Sequence, residues 1–391
     1  MNWVLLGSLL SCLFLDASSA LIAPKVMILS MFTSEANVWY GIPEFNLMEQ
    51  NITVLGLSPR FPQVHCTGDG VVCQLTLGEG EINAASSIAA LVFSPLTDLT
   101  STYILIAGIA GVNPKVATIG SVTFARYAVQ VALQMEIDAR EIPENFSTGY
   151  FPQDSSGPGQ FPGTFYGTEV FEVNDALRQL AFNAAQTAQL NDTEAAIQLR
   201  AQYAESPIFA PANNVSGPSV TLCDTATSDN FWDGTLLGET FENTTKVFTN
   251  QTGVYCTTQQ EDNATLGALL RGAMSGLVDF SRIIVMRTTS DFDRPGPGET
   301  VLQQVLGPSP GHIPAEVNLH LAGVEVVDMI VKGWSATFEN GVPPTNYIGD
   351  VFGSLGGNPD FGPGSIFGGK PAGDEGTVSP PNILASSYFT V

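Results

Sequence analysis

Three carboxylates and one aromatic pair are the residues of this sequence whose types and positions could do chemistry. Glu35, Glu261 and Asp291 each stand at the end of a predicted strand or beside a predicted helix, where α/β folds build their sites. Phe231 and Trp232 lie in a loop rich in hydrogen-bonding residues. Carboxyl groups brought close together can exchange protons in general acid–base catalysis. Each of the three also has an ordinary explanation as a helix cap or a solvated side chain, so spacing alone assigns no site.

Apolar segments on either side of these residues predict the elements that position them. Lys25 to Phe32 is typical of a buried central strand, and Val71 to Leu77 and Tyr103 to Ala107 predict two more strands. Ile82 to Phe93 carries apolar residues on a helical period. A strand, a helix and a strand in that order predict a βαβ unit. We therefore expect an α/β fold with a mixed, largely parallel central sheet flanked by helices.

The rest of the chain continues the same alternation. Helical spacing of apolar residues predicts three further helices, over Val173–Leu190, Glu194–Tyr203 and Ala264–Val278. Strand-like stretches are Gly120–Ala125, Ala128–Ile137, Ser219–Cys223 and Arg282–Met286. Polar, Gly-rich or Pro-rich composition predicts loops over Phe146–Thr164 and Asp224–Asp233.

Three segments are expected along the chain. Residues 1–20 are interpreted as a signal peptide, because Val4 to Leu15 is a short apolar run and Ser18-Ser19-Ala20 supplies small residues for cleavage. Residues 21–340 are expected to form one domain. Residues 341–391 are expected to form an ordered arm rich in Gly and Pro, with Phe352, Phe361 and Phe367 as anchors, and the alternative is that this arm is largely disordered. An uncleaved anchor or a short buried strand is the alternative for residues 4–15. No other stretch approaches the roughly 20 apolar residues of a spanning helix, so we expect no membrane-spanning segment in the mature chain.

Composition excludes several classes of protein. Hydrophobic residues make up 44% of the 391 residues and charged residues 13%, which excludes disorder of the whole chain. The 38 Asp and Glu against 14 Lys and Arg give a formal net charge of -24. Such a charge repels phosphate backbones and anionic lipid surfaces, so we expect no nucleic-acid partner.

Cysteines and sequons agree with export. Four of the five cysteines lie in the mature chain, an even number that predicts two disulfides in an oxidising compartment. Three pairings are open, and we favour Cys66 with Cys73 and Cys223 with Cys256 because the first pair closes a tight Gly-rich loop. With only three histidines and no closely spaced cysteine pairs of zinc type, we expect no metal site. Sequons for N-glycosylation occur at Asn51, Asn145, Asn191, Asn214, Asn243, Asn250 and Asn263.

Several segments, taken in order, resemble a known family. They are Val26-Met-Ile-Leu-Ser-Met-Phe-Thr-Ser-Glu35-Ala-Asn-Val-Trp, Ala107-Gly-Ile-Ala-Gly111-Val-Asn-Pro, Thr225-Ala-Thr-Ser-Asp-Asn-Phe231-Trp, Gln260-Glu261-Asp262 and Arg287-Thr-Thr-Ser290-Asp291-Phe-Asp-Arg294. With them, the span from about Pro24 to Asn340 resembles the purine nucleoside permeases and, more distantly, the nucleoside phosphorylase and nucleosidase superfamily. The resemblance implies a nucleoside phosphorylase-like fold and a purine nucleoside, such as adenosine, inosine or guanosine, as the ligand.

The resemblance also implies roles for single residues. Asp291 resembles the general acid that protonates or hydrogen-bonds N7 of the purine as the glycosidic bond lengthens. Glu261 resembles the carboxylate that accepts hydrogen bonds from the ribose 2′- and 3′-hydroxyls. Phe231 resembles the aromatic residue that stacks on the base, with ordinary core packing as its alternative. Four more residues of the matching segments are expected to bind substrate: Ser290, Gln260, Asp229 and Gly108. A glycan on Asn263, so close to Glu261, would be difficult to accommodate.

Glu35 decides between two reactions. In the nucleosidase branch a Glu after the first strand activates water, whereas phosphorylases surround a phosphate with basic and hydroxyl donors. Ser30 to Phe45 contains no basic residue, and Ile109 stands where phosphate-binding relatives have a hydroxyl. We therefore expect hydrolysis rather than phosphorolysis, although Arg126 and Arg287 keep the second reaction open if they reach the pocket.

The expected protein is a secreted or cell-wall-associated purine nucleosidase that uses no cofactor. The family name leaves a second hypothesis open, a non-catalytic nucleoside-binding protein that assists uptake. Such a binder would need contacts to base and ribose, but neither Glu35 nor a titratable Asp291. The superfamily is commonly oligomeric, which leaves a homo-oligomer open as well.

Overall fold

A mixed β-sheet organises residues 21–362, the part of the chain that the computed structural model describes. The predicted signal peptide and residues 363–391, with Phe367, lie outside the described residues. The strands are Val26–Ser30 (β1), Gln50–Thr53 (β2), Gln63–Cys66 (β3), Val72–Thr76 (β4), Tyr103–Val112 (β5), Val122–Ala125 (β6), Tyr127–Gln130 (β7), Met135–Glu136 (β8), Tyr150–Phe151 (β9), Val170–Glu172 (β10), Val220–Leu222 (β11), Asp224–Thr227 (β12), Tyr255–Gln259 (β13), Ile283–Phe292 (β14) and Gly349–Asp350 (β15).

Helices cover this sheet. The α-helices are Thr33–Asn37 (α1), Glu81–Val92 (α2), Asp175–Ala185 (α3), Glu194–Ala201 (α4), Thr235–Phe248 (α5), Asp262–Met274 (α6), Val301–Leu306 (α7) and His312–Lys332 (α8). Short 3₁₀ turns follow α4 and precede β14, and a π turn follows α8.

The centre of the sheet is parallel, as predicted, and antiparallel pairs lie around it. β4, β1, β5 and β14 are neighbours and run in the same direction. β14 also pairs with β6, which leads directly into β7, and β7 continues through β12 and β13 back to β5. This half of the sheet therefore closes on itself. The long strands β5 and β14 lie where the open and the closed halves meet.

Two apolar layers sandwich the central strands. Met27 and Leu29 of β1 pack towards α2 and α6, whereas Val26 and Ile28 pack towards α3 and α8. Successive side chains of a strand point to opposite faces, so a strand buried on both faces must be apolar throughout. This explains why β1 is an uninterrupted apolar run rather than an alternating one.

Most of the predicted strands and helices are present in the structure. Some of them end at other residues than predicted, and one predicted loop is a strand. Asp224 to Thr227 was expected in a loop but forms β12, a strand whose polar residues are buried. β5 continues to Val112 instead of ending at Ala107, and β14 continues to Phe292 instead of Met286. The helices α5 and α8 and the strand β13 were not predicted. Polar strands are missed because their hydrogen bonds lie inside the protein, which composition does not reveal.

The disulfides and the start of the arm are part of this framework. Cys66 is bonded to Cys73 and Cys223 to Cys256, the pairing favoured above. In the arm, β15 pairs with β10, and Phe361 is buried against Tyr127. Within residues 21–362, no helix has the length and apolar character needed to cross a membrane.

Candidate active site

A pocket of about 190 Å³ opens where β1, β5 and β14 end. The carboxyl ends of parallel strands are the usual place for ligand sites in open α/β sheets. Six of the eight residues singled out in the sequence line this pocket: Glu35, Phe231, Gln260, Glu261, Ser290 and Asp291. Asp229 and Gly108 do not line it. Residues far apart in the sequence thus meet in one place because their strands are neighbours.

Glu35 is a buried carboxyl at the pocket wall. It lies on α1, directly after β1, and is 1% exposed. The backbone N–H groups of Met31 and Ile109 donate to its two carboxylate oxygens, at 2.6 and 2.7 Å. Burial nevertheless raises the pKa of Glu35 to about 8, because the loss of hydration outweighs the stabilising charge of Arg287 and the two amides.

Gly108 lies beneath this carboxyl rather than in the pocket. A side chain there would place its Cβ 2.7 Å from Oε1 of Glu35 and 2.7 Å from Nη1 of Arg287. Only glycine leaves room for both groups to reach the backbone of β5. Gly108 therefore gives these two side chains the room they need, and its expected contact with a substrate stays a prediction.

Arg287 is the only basic residue among the described residues that line the pocket, and its charge is already balanced. Its guanidinium donates to both oxygens of Asp262, at 2.5 and 3.3 Å, and to Glu261 at 3.3 Å. Its Nη1 donates to the Ile109 carbonyl at 3.0 Å. A planar fork of donors matches a carboxylate in two-point contact. Its side chain is therefore held against the wall by acceptors of the protein itself.

Glu261 lies at the start of α6 and lines the same pocket as Glu35. Its Oε1 accepts from the Gly80 N–H at 3.1 Å, and its Oε2 accepts from Arg287. It is 4% exposed, and burial raises its pKa although Arg287 and the Gly80 amide act in the other direction. Each carboxylate oxygen keeps acceptor capacity for a further donor.

Ser290 and Asp291 lie at an irregularity in β14. The pairing with β5 shifts between Thr289 and Asp291, so that one extra residue is inserted into the strand. Such bulges re-aim side chains and are common beside active sites. The Ser290 hydroxyl donates to Oδ1 of Asp291 at 2.5 Å, and burial raises the pKa of Asp291. The other oxygen, Oδ2, lies beside the backbone of Gly111.

The aromatic pair is divided between the pocket and the core. Phe231 is 62% exposed at the pocket mouth, which excludes the alternative of ordinary core packing. Trp232 is 7% exposed, and its indole N–H donates to the Tyr255 hydroxyl at 3.1 Å. Tyr255 in turn donates to Asp293 at 2.7 Å. The buried neighbour thus anchors the loop that presents Phe231.

Asp229 caps the start of a helix. Its Oδ1 accepts from the Glu81 N–H at 2.7 Å, at the start of α2, where a negative charge is favourable. The Gln260 side chain lines the pocket and donates to the Asp229 backbone carbonyl. Asp229 therefore joins the start of α2 to the loop that carries Phe231, and its expected contact with a substrate stays a prediction.

Sequence reasoning missed the residues that hold the acidic groups in place. Asp262, the main partner of Arg287, was quoted only as part of a matching segment. Gln259 accepts from the backbone N–H groups of Glu261 and Asp262, at 2.7 and 2.8 Å, and so begins α6. Arg126, which was considered for the pocket, pairs with Glu172 and Asp360 elsewhere. The only signal in the sequence was the acidic residue Asp262 directly after Glu261, because two adjacent carboxylates can bind a buried arginine.

No group of three His, Cys, Asp or Glu within residues 21–362 is arranged to hold a metal ion. Asn263, one of the sequons, is 1% exposed. Its amide donates to the Thr168 carbonyl at 2.8 Å and accepts from Thr227 at 2.7 Å.

Comparison with known proteins identifies similar sequences. Residues 23–343 match the family model described as purine nucleoside permease. The chain is 45% identical over 350 residues to the purine nucleoside permease of Candida albicans, an alignment that covers 88% of this chain and 84% of that protein. It is also 45% identical over 322 residues to a probable purine nucleoside permease of Schizosaccharomyces pombe, covering 80% of this chain and 90% of that protein.

Solved structures of lower similarity were also found. A 5′-methylthioadenosine/S-adenosylhomocysteine nucleosidase from Neisseria meningitidis in complex with methylthio-immucillin-A is 16% identical, with a TM-score of 0.45; 78% of this chain and 99% of that chain are covered. Futalosine hydrolase of Helicobacter pylori is 13% identical, with a TM-score of 0.44 and coverage of 78% and 97%.

Proposed function

Since the chain belongs to the purine nucleoside permease family, we propose that it binds purine nucleosides and hydrolyses their N-glycosidic bond to free base and ribose. One observation carries the proposal. The buried carboxyls of Glu35, Glu261 and Asp291 line a single pocket together with the exposed ring of Phe231. Other carboxyls of the chain are buried as well, for example that of Glu172, but these three meet at one pocket, where carboxyls with raised pKa values can take part in acid–base chemistry.

Asp291 supplies the proton to the leaving group. Its raised pKa favours the protonated carboxyl that a general acid needs. The proton passes to N7 of the purine as the bond between N9 and the anomeric carbon breaks, and the bonding electrons leave with the base. The Ser290 hydroxyl holds the other carboxyl oxygen, so the side chain is oriented before the substrate arrives. Phe231 stacks on the base and keeps N7 within reach of Asp291.

Glu261 binds the ribose and stabilises its charge. The hydroxyls at the 2′ and 3′ positions donate to its carboxylate, which Arg287 and the Gly80 amide keep in place. As the glycosidic bond lengthens, positive charge develops on the sugar ring. A fixed carboxylate beside that charge lowers the energy of the transition state without any rearrangement.

Glu35 activates water. In its carboxylate form it takes a proton from a water molecule whose oxygen then bonds to the anomeric carbon. The two amides that hold Glu35 fix the direction of its oxygens. Its pKa of about 8 means that the free protein must lose a proton there before reaction, which couples the rate to pH.

The charges of the pocket favour water over phosphate. A phosphate nucleophile needs uncompensated donors, but Arg287 is paired with Asp262 and Glu261. In the carboxylate form Glu35 would repel an anion, and Ile109 brings an apolar side chain to the same wall. A neutral nucleophile meets no such penalty. This supports hydrolysis rather than phosphorolysis.

Export is a further part of the proposal. Two disulfides persist in oxidising compartments and are rare in the cytosol. The apolar run near the amino terminus and the exposed sequons agree with a secreted or wall-associated glycoprotein. Detection of the intact, oxidised chain in culture medium or wall extracts would test this.

The family name favours a second candidate, nucleoside binding linked to uptake. The relatives from Candida albicans and Schizosaccharomyces pombe are both described as permeases. A binder would use Phe231 and Glu261 in the same way, but would release the nucleoside intact.

One experiment distinguishes hydrolysis, phosphorolysis and binding without reaction. The purified chain is incubated with adenosine and inosine, with and without phosphate, and base, ribose and ribose 1-phosphate are resolved by chromatography. Base and ribose formed without phosphate support the proposal. Ribose 1-phosphate formed only with phosphate indicates a phosphorylase. Binding with no product indicates the uptake-linked candidate.

A further inference from the structure

A second cavity, of about 570 Å³, adjoins the candidate active site. The two share four residues, Ile109, Phe231, Ser290 and Asp291. Neither Glu35 nor Glu261 lines the second cavity. It therefore extends from the end of the site that holds the base, not from the end proposed for ribose and water. Its volume alone lies within the roughly 300–1,000 Å³ of typical small-molecule sites.

One wall of this cavity is a helix face. Ala195, Gln198 and Leu199 of α4, with Gln202 just after it, line the cavity at spacings of three, four and seven residues. Residues at these spacings lie on one side of a helix. Ile197 of the same helix does not line the cavity and is 42% exposed. The opposite wall comes from α7 and the chain that leads to His312.

Three residues that line this cavity each hold a buried oxygen that has no hydrogen-bond partner among the described residues. The oxygens are Oδ1 of Asp233, Oε2 of Glu299 and Oε1 of Gln304. The amide nitrogen of Gln304 is already used, because it donates to the Phe292 carbonyl. Buried polar atoms are almost always paired in native proteins. Asp233 and Glu299 bring two carboxyl groups to the lining, and no Lys or Arg is among the described residues that line the cavity, so the cavity suits a ligand that brings hydrogen-bond donors.

The geometry of a purine indicates which of its substituents would extend into the second cavity. N7 and the 6-substituent lie on the same edge of a purine. C8 lies between N7 and N9, on the side of the sugar, whereas the 6-position points away from it. With N7 at Asp291, the residue shared by both cavities, a group on the 6-position extends away from Glu35 and Glu261 into the second cavity.

We propose that the second cavity binds a substituent on the 6-position of the purine, so that the ligands of this protein include nucleosides whose exocyclic nitrogen carries an extended group ending in a hydrogen-bond donor. The proposal rests on the proposed function in one respect, the placement of the purine against Asp291. It does not depend on whether the bound nucleoside is cleaved.

The first test compares adenosine with N6-(6-aminohexyl)adenosine. Dissociation constants are measured by calorimetry on Asp291→Asn, to limit turnover, and on the wild-type chain, where kcat/KM is also measured if cleavage occurs. The wild-type chain is expected to bind the substituted nucleoside at least as tightly as adenosine. Leu199→Trp, which fills the cavity, should weaken the substituted nucleoside about tenfold or more and leave adenosine within about twofold. Ile197→Trp, on the exposed face of the same helix, should change neither.

The second test asks whether the Glu299 carboxyl group favours ligands that end in a hydrogen-bond donor. Glu299→Gln replaces an unpaired carboxylate oxygen by an amide and leaves the volume nearly unchanged. It should weaken N6-(6-aminohexyl)adenosine about fivefold to tenfold, while N6-hexyladenosine, which lacks the terminal donor, should be unaffected. Equal effects on both compounds would contradict a donor-binding role.

The outcomes separate this proposal from the proposed reaction. Tight binding of the substituted nucleoside, sensitive to Leu199→Trp, supports the second cavity even if no nucleoside is cleaved. Cleavage of adenosine with binding of the substituted nucleoside more than about thirtyfold weaker overturns the second cavity and leaves the reaction standing. Failure of both compounds to bind overturns both proposals.

Discussion

Arg287 donates to both carboxylate oxygens of Asp262 at the back of the candidate active site, at 2.5 and 3.3 Å. Both side chains are buried, so this contact fixes where the single cation of the described pocket wall can point. It also determines how much of that charge is left for a ligand.

Removing one partner of this pair should destabilise the protein strongly. Asp262→Ala leaves the buried Arg287 guanidinium with Glu261 as its remaining ion-pair partner. Breaking a buried ion pair by removing one partner typically costs about 3–5 kcal/mol. The midpoint of denaturant unfolding should fall accordingly. Asp328→Ala, which removes the exposed partner of Lys332, is the control and should leave the midpoint unchanged. Equal midpoints for the two variants would show that the buried pair contributes nothing.

Asp291→Asn should remove the proton donor without changing the shape of the site. We expect kcat for adenosine to fall by about 10²–10⁴, with a much smaller change in KM. A 4-nitrophenyl riboside, whose leaving group needs no proton, should lose far less activity. Equal losses with both substrates would contradict a general-acid role, and an unchanged circular dichroism spectrum would exclude unfolding as the cause.

The pH dependence of the rate should report Glu35. Burial raises its pKa to about 8, and water activation needs the carboxylate form. The wild-type kcat/KM should therefore fall as the pH decreases below about 8. This acidic limb of the pH profile should give the pKa of Glu35 in the free protein. Glu35→Gln should lower kcat by about 10² or more and remove this limb. A limb that persists in the variant would assign the titration to another group.

The free energy of unfolding should decrease as the pH rises, whereas kcat/KM should increase. Burial raises the pKa of Glu172 from 4.5 to about 7, despite the nearby Arg126. Between these values the folded chain keeps a proton that the unfolded chain has lost, so the free energy of unfolding decreases as the pH rises through the interval. The stabilisation is complete below pH 4.5 and lost above pH 7. Thermal unfolding at pH 4.5 to 8 should show this slope, and Glu172→Gln should reduce it. An unchanged slope in the variant would exclude Glu172 as a contributor.

Glycosylation should distinguish the sequons by burial. Asn263 is buried and its amide is hydrogen-bonded on both sides, so it should carry no glycan in the folded protein. Asn145 and Asn243 are exposed and are open to modification. Enzymatic deglycosylation in heavy-oxygen water followed by peptide mass spectrometry would label only occupied sites. A label at Asn263 would contradict the buried position.

Much of the site could be predicted because its residues carry their own signals. Glu35 and Asp291 follow apolar strands, a pattern visible in one dimension, whereas Glu261 follows the polar strand β13 and was found only through the resemblance of its segment to a known family. Gly108 and Asp229 were placed in the binding surface only because they stand in the same segments. Their positions depend on what approaches them from elsewhere, Glu35 and Arg287 in the first case and α2 in the second. Residues that are close to a pocket residue in the sequence therefore need not line the pocket.

The amino-acid sequence by itself determined the apolar buried strands, four of the eight α-helices of the described residues, the even set of cysteines and the candidate acidic residues, because periodicity and residue type act locally. Tertiary structure alone decided that Arg287 is bound by Asp262, that the shift in β14 turns Ser290 and Asp291 towards the pocket, and that a second cavity lies beyond Asp291. These features arise from strand pairing and from the balance of buried charges across distant segments. A local sequence pattern cannot predict this balance of charges, because it depends on which charged groups from distant segments become buried next to each other.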